Sequence, residues 1–436
     1  MSGNRWRIIV LLMGYAALGH FNRLSITVAG DEMFIPKMGI SELRIGWVYT
    51  TLLVVYTLAM LPAGWLIDRI GSGRTLTLFG LTMGGFAVLT GVQGWLFSSP
   101  HSLWISLLVI RGLAGLCNAP LHPGAAHVVS DVMPTSQRAY ANGLITAGAV
   151  VGIACCYPAF GWLMDTFSWQ AAFVVGGLAL MAYSVLWRGL AEPALPHTRP
   201  ARTVSALASD SAADLLAEGK STSPDEETTS SEALRGPWSL IKSRDLWLLT
   251  LSYAAYGYFQ YLFFYWMSFY FKDELKIPPV DARWASFWIT LGMGAGMAFG
   301  GRITELASSR LGLVRGRRAV VLTGMGLGAI FGIVAMNVES FVAIAVCMGI
   351  AMAMVGMCEG VFWTTATDIG GQSRGLSGAF MNTGGNIGGL ISPVLSPVMA
   401  DSLGWPTSIA IACVISGIGG AVWLLITPST RENATH

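Results

Sequence analysis

Apolar runs recur along the chain, separated by short polar stretches. Each run is long enough to cross a bilayer, which takes roughly 20 residues. Twelve of them predict membrane helices, at about 7–29, 45–67, 75–97, 104–130, 139–164 and 168–190, then 246–271, 284–306, 319–337, 340–367, 376–400 and 405–427. Between the sixth and seventh lies a polar stretch, 191–236. Its centre, KSTSPDEETTSSE, holds too little apolar surface to fold, so a disordered linker is expected there. The pattern therefore predicts an all-α membrane protein: twelve transmembrane helices in two six-helix lobes, 1–190 and 237–436, joined by that linker.

Composition sharpens this. Of 436 residues, 53% are hydrophobic and only 11% charged, where soluble proteins carry roughly 25% charged residues. The 53 glycines suit close packing of membrane helices. A net charge of +2 without a basic cluster gives no reason to expect a nucleic-acid partner. The cysteines, at 117, 155, 156, 347, 358 and 413, all sit in apolar runs and read as packing residues. The first run is too long for the core of a signal peptide and lacks a clear cleavage site, so it is expected to stay as a helix.

Loop charges set the orientation. With a cytoplasmic N-terminus, the inside receives Arg5, Arg7, Arg69, Arg74, Arg138, Arg302, Arg310, Arg315, Arg317, Arg318, Arg374 and Arg431, and the outside only Lys37, Arg44, Lys272, Lys276 and Arg283. Both termini and the linker are therefore expected in the cytoplasm.

One run departs from a plain apolar span. Residues 104–131, WISLLVIRGLAGLCNAPLHPGAAHVVSD, carry Arg111, Asn118, His122 and His127. At about 100° per residue, Arg111, Gly115, Asn118 and His122 share one stripe. Pro120 and Pro123 are placed to kink the helix beside it. An arginine inside a membrane is costly and turns to a protein interior or a wet cavity. The stripe is expected to line a substrate cavity, with Arg111 attracting a negative charge; the competing role is a structural ion pair.

The two halves repeat. Arg138, Gly148, Gly152, Asp165 and Trp169 recur as Arg374, Gly384, Gly388, Asp401 and Trp405, at one offset of 236 residues. That is the plan of parallel repeats in alternating-access transporters. The offset sets Arg111 against Cys347, so the site is asymmetric on a symmetric scaffold. After the second run, Gly64, Asp68, Arg69, Gly71 and Arg74 fit G-x-x-x-D-R-x-G-x-x-R. The glycine there is expected to allow close helix contact, and the aspartate to cap a helix or pair with an arginine. A degraded copy runs from Gly301 to Glu305, followed by Arg310 and Arg317.

That loop resembles the signature of the major facilitator superfamily. Within the superfamily, the chain resembles the anion:cation symporter family, which includes sugar-acid, organic-anion and vesicular glutamate transporters. The resemblance rests on NRLS in the first run, VYTLAMLPAGWLIDR in the second and RGLAGLCNAPLHP in the fourth. It continues with FFYWMSFY in the seventh, GVFW in the tenth and GAFMNTGGNIGGLISP in the eleventh. It implies the major facilitator fold, an organic-anion substrate, and a site formed around Arg23, Arg111, Tyr56, Trp363 and Asn382. The departures concern coupling. Asn22 stands where the family has an aspartate and Asn118 where it has a glutamate, the two carboxylates associated with proton coupling. Met60 replaces a glutamine, and Trp266-x-Ser268-x-Tyr270 replaces W-x-P-x-Y.

The residues themselves agree with an anion site. Arg23 and Arg111 are the basic side chains placed deep in the membrane, and guanidinium groups grip carboxylates in a bidentate fork. Tyr56, Gln260, Asn382 and Asn386 suit substrate hydroxyls, Asn118 and His122 add polar groups on the stripe, and Trp363 offers a flat wall. Glu359 is the carboxylate placed well inside a span. It is expected to carry a coupling proton, with His20 or His122 assisting; the competing role is a solvated helix end. His122 and His127 splay around the helix and lack metal-ligand spacing. There is no nucleotide-binding loop and no nucleophile elbow. The chain is thus expected to be no enzyme, with no cofactor and no metal. It is expected to act as a monomer in the plasma membrane, most naturally a bacterial inner membrane, moving a small organic anion with a proton as co-substrate. The alternatives are an uncoupled facilitator or exchanger, and a transporter-like sensor.

Overall fold

The computed structural model describes residues 2–97, 99–195, 242–370 and 374–427. Of the expected linker, 196–236 lies outside them. The first half forms α1 (Ser2–Ala29), α2 (Glu42–Ile70), α3 (Ser72–Leu96), α4 (Pro100–Asn118), α5 (Leu121–Val132), α6 (Thr135–Cys155), α7 (Gly161–Thr166) and α8 (Trp169–Leu190). The second forms α9 (Arg244–Phe269), α10 (Pro279–Leu311), α11 (Leu313–Ala335), α12 (Phe341–Gly356), α13 (Glu359–Gly370), α14 (Arg374–Leu403) and α15 (Trp405–Ala421). Nine helical stretches among the described residues are long and apolar enough to span a membrane. The expected seventh, eighth and eleventh spans are long helices too, α9, α10 and α14, but tyrosines, glycines and asparagines make them less apolar.

Three expected spans are not single helices. The fourth breaks at Ala119–Pro120, between α4 and α5, where proline cannot donate to the ladder. The tenth breaks at the equivalent place, between α12 and α13, so Glu359 is the first residue of a half-helix. The fifth passes through a π-turn at Cys156–Phe160 before α7. Further π-turns, Gly30–Phe34 and Tyr270–Glu274, prolong α1 and α9.

Within the first half α1 packs on α6 and α8, α2 on α4, and α3 on α8. Within the second, α9 packs on α14 and α15, α10 on α12, and α11 on α12 and α15. The repeated glycines make the same contact in both halves. A Cβ on Gly152 would strike the carbonyl of Ala17 on α1, and one on Gly388 the carbonyl of Ala254 on α9. Gly148 and Gly384 do likewise against Met13 and Thr250. The repeated tryptophans are buried at equivalent helix starts. Trp169 lies edge-on to Phe34 at 4.9 Å, and Trp405 lies 5.2 Å from Trp266.

The loop motif looks different from its expectation. A Cβ on Gly64 would meet open space, so this glycine makes no close helix contact here. Gly71 is the functional glycine, turning α2 into α3 at φ 89°. Gly312 does the same between α10 and α11 at φ 82°. Arg69 lies over the Trp65 ring at 5.0 Å, and Arg74 is 3.8 Å from Glu192, just past α8. The side chain of Asp68 lies outside the described ones.

The halves meet along α2–α14, α6–α10 and α1–α9. Their contacts cluster toward the end that loop charge assigns to the outside. Gly46 lies against the Pro393 carbonyl, Thr50 donates to the Leu390 carbonyl at 2.7 Å, and Tyr157 to that of Phe264 at 2.8 Å. Tyr49 stacks on Tyr265 at 4.5 Å.

Candidate functional site

Arg23 sits in the last third of α1, buried between the halves. Its Nη2 donates to the Tyr261 hydroxyl on α9 at 3.0 Å. Its guanidinium carbon stands 5.2 Å from the Tyr56 ring centroid on α2 and 5.9 Å from that of Tyr261. Among the described residues no carboxylate lies within ion-pair distance of it, and its Nε is buried without a hydrogen-bond partner. One cation, ringed by hydroxyls and aromatic faces, thus joins the halves below the sealed end.

Arg111 is placed differently from its expectation. It is only 2% exposed. Its Nη2 donates to the Arg23 carbonyl and its Nη1 faces the Asn22 carbonyl at 3.5 Å. Gly115 lies against the Leu52 carbonyl of α2, and Asn118 is buried with Oδ1 unpartnered. In this state the stripe packs between α4 and α1–α2, with two guanidinium nitrogens of Arg111 on the backbone of α1 and its Nε buried without a hydrogen-bond partner. His122, beyond the helix break, leaves this contact.

His122 meets His20 instead, Nε2 to Nε2 at 3.4 Å. His20 Nδ1 stands 3.0 Å from the Ala16 carbonyl, which only accepts, so the proton of a neutral His20 sits on Nδ1. Its Nε2 then accepts from His122. The structure thus brings together two of the three coupling candidates.

Glu359 lies apart from both histidines and both arginines in its bonding. Its Oε1 accepts from the Tyr253 hydroxyl and from Trp363 Nε1, each at 2.8 Å, while Oε2 is buried without a partner. It is a helix-start residue, but one held by protein donors. Trp363, one turn on, is 39% exposed. Gln260 Nε2 reaches Met293 Sδ at 3.6 Å, and Asn386 Nδ2 reaches Met60 Sδ at 3.8 Å. The methionine that replaces the family's glutamine therefore touches an amide across the halves. Asn382, partly buried, lies one turn before Asn386.

Asn22 shows what the amide substitution does. Its Nδ2 donates to the Leu18 carbonyl at 2.9 Å and to the Gly176 carbonyl of α8 at 3.1 Å. An ionised carboxylate has no proton to give to either.

Sequence reasoning missed the tyrosines of α9. Tyr253, Tyr261 and Tyr265 recur every four or eight residues and so share one face. That spacing was the available signal. It also missed an ion cluster at the sealed end. Arg283 of α10, expected in an outer loop, is buried. Its Nε donates to Glu32 Oε1 at 2.7 Å and its Nη2 to Asp165 Oδ1 at 3.0 Å. Second contacts to each carboxylate complete two forks across the halves.

Comparison with known proteins agrees with this architecture. The family model of the Major Facilitator Superfamily matches residues 9–368 and 270–436. The chain belongs to the Major Facilitator Superfamily. This superfamily member is similar to the probable galactarate/D-glucarate transporter GudP of Bacillus subtilis, 26% identical over 88% of this chain and 83% of that one. It is also similar to a D-galactonate transporter of Escherichia coli O6:H1, 23% identical over 98% and 96%. A probable sulfoacetate transporter, SauU of Cupriavidus necator, is 24% identical over 96% and 94%. These relatives are consistent with the anion:cation symporter resemblance. Among solved structures, a bacterial homologue of the human lysosomal transporter Spinster, inward-facing and unoccupied, superposes with a TM-score of 0.74 at 16% identity, covering 98% of this chain and 97% of that one. The likeness shows the shared fold. The protein is a multi-pass membrane transporter.

Proposed function

We propose that this transporter carries a small organic anion, a sugar acid foremost, by alternating access between its halves. Arg23 carries the reading. A buried guanidinium without a carboxylate partner costs about 3 kcal/mol or more at mid-membrane, and a substrate carboxylate would supply the missing charge. The Tyr56 and Tyr261 rings and the amides of Gln260, Asn382 and Asn386 suit a hydroxylated carbon chain, with Trp363 as an apolar wall. Arg111 acts as a positioning residue, fixing the α1 backbone that presents Arg23. The relatives named for galactarate, glucarate and galactonate support the substrate class. The contacts at the charge-poor end support an inward-facing arrangement, and the loop charges support a bacterial inner membrane with both termini inside. Residues 1–190 and 237–436 act as the two moving lobes, and one chain suffices.

Transport is proton-coupled in this reading, through Glu359 with the His20–His122 pair assisting. Asn22 and Asn118 do not titrate, so coupling needs another group. Glu359 has one satisfied and one buried, unpartnered oxygen, an arrangement that suits a group alternating between two protonation states. A second reading, an uncoupled facilitator, is favoured by the same two asparagines.

Proteoliposomes test both. Galactonate, glucarate, a hexuronate and sulfoacetate are offered with and without an inward proton gradient. The coupled reading expects gradient-driven accumulation by wild type, and exchange without accumulation by Glu359→Gln. A wild type that equilibrates substrate yet ignores the gradient gives the facilitator reading. Binding without counterflow would make the protein a sensor, and no response to any acid would remove the anion reading.

A further inference from the structure

At the sealed end, next to the Arg283 cluster, one carboxylate has no place in that ion network. Asp31 lies in the π-turn that prolongs α1 and is 0% exposed. Neither of its oxygens has a hydrogen-bond partner among the described protein groups. Polar neighbours reach it from several elements. The end of α9 and its π-turn bring Ser268, Lys272 and Asp273; α2 brings Tyr49; the π-turn after α6 brings Cys156 and Tyr157; and Glu32 follows on its own turn. Lys272 is the one cation among them. Its ammonium makes no hydrogen bond to Asp31 and is shared with Asp273, 3.3 Å away, while the Arg283 fork is taken by Glu32 and Asp165. The Tyr49 hydroxyl is itself buried without a partner.

We propose that Asp31 is a proton-binding site of the outer gate, separate from the central anion site, and that closing this gate takes up one proton there. An ionised carboxylate is costly to bury without hydrogen-bond donors, and a buried acid whose one cationic neighbour is shared with a second carboxylate takes a proton instead. Opening the gate parts α2 from α14 and α6 from α10, and the same carboxyl then meets water and ionises. Its neighbours respond in the opposite sense. Arg283 holds the closed state through its forks to Glu32 and Asp165, and losing the Asp165 fork to a proton loosens the gate. The sign of the pH response therefore identifies the group. If Asp31 governs, the closed state is favoured as pH falls and lost as pH rises. If the Arg283 pairs govern, acid opens the gate.

The site does not depend on which anion is carried, and its test needs none. Spin labels on non-natural side chains at Lys37 and Asp281, exposed at the sealed ends of the two halves, report gate opening by electron-resonance distance measurement in nanodiscs. Between about pH 5 and pH 8, the wild-type ratio of closed to open populations should fall as pH rises, by up to about tenfold per unit for one proton. Asp31→Asn should stay closed throughout, with the slope abolished. A flat wild-type titration, an acid-opened gate, or an unchanged slope in Asp31→Asn each overturns the proposal. So does closure driven equally by sodium at fixed pH, which would make this a metal-cation site. If the variant does not fold, the sign of the wild-type titration still decides. Failure of sugar-acid uptake leaves this titration untouched, and failure of the titration leaves the uptake reading intact.

Discussion

Two arginines that look alike in the sequence do different jobs. Arg23 faces ring faces and a hydroxyl across the halves; Arg111 grips the backbone behind it. Charged hydrogen bonds contribute about 1.5–3 kcal/mol each. Arg23→Ala should therefore weaken substrate binding on the order of ten- to a hundredfold with little change in melting temperature, and Arg23→Lys should recover only part because a point charge lacks the fork. Arg111→Lys should lower the melting temperature as well as uptake, since lysine reaches one carbonyl at a time. Calorimetric binding and a thermal melt on the same preparations separate the two roles. Equal behaviour of both variants in both assays would return Arg111 to the ligand site. Residue type and depth were legible in the sequence: both arginines were identifiable as buried cations. Which way each fork points was not, because helical periodicity gives a face and not the neighbour that occupies it. The same limit hid Tyr261, whose hydroxyl matters only because α9 crosses beside α1.

Helix contacts were more legible than helix interruptions. The glycine pairs at 148 and 384, and at 152 and 388, share one offset, and the structure uses them identically, α6 on α1 and α14 on α9. A Cβ there meets backbone oxygen, which cannot rotate aside. Gly152→Val and Gly388→Val should each destabilise the protein by about 1–3 kcal/mol through overpacking, read as a lower melting temperature. Gly64→Val, with open space around it, should leave the melt unchanged in this state and so acts as the control. A melt unchanged in all three would mean the helices do not approach as described. The breaks behave differently. Prolines announced the one after α4, but the equivalent one before Glu359 contains no proline and was read as continuous helix. The π-turns were invisible, since one extra residue in a turn shifts an apolar pattern too little to detect. They matter nonetheless, because Asp31 and Glu32 lie in one of them.

At the scale of the molecule, apolar runs, loop charge and the internal repeat made the two-half plan readable from the chain. The way the halves close was not, because it depends on long-range pairs such as Glu32 with Arg283, 251 residues apart. Arg283 looked like a loop cation at the edge of a span. Its burial follows only once α10 is set against the end of α1 and the start of α7, where Gly161 leaves room that a Cβ would fill. Removing one partner of a buried ion pair costs about 3–5 kcal/mol, and here that cost falls on the closed state alone. Arg283→Gln should therefore shift the population toward an open outer gate by more than about a hundredfold. Thr50 provides the readout: it is buried at the α2–α14 contact, donating to the Leu390 carbonyl. A cysteine placed at Thr50 should resist a membrane-impermeant maleimide added from outside in the Arg283 protein and react in the Arg283→Gln protein. Net uptake should fall in parallel, because the cycle needs a gate that shuts. Continued protection of the Thr50 position would assign the closure to the aromatic contacts, Tyr49 on Tyr265 and Tyr157 on the Phe264 carbonyl. The ion cluster would then trim a seal that packing already makes.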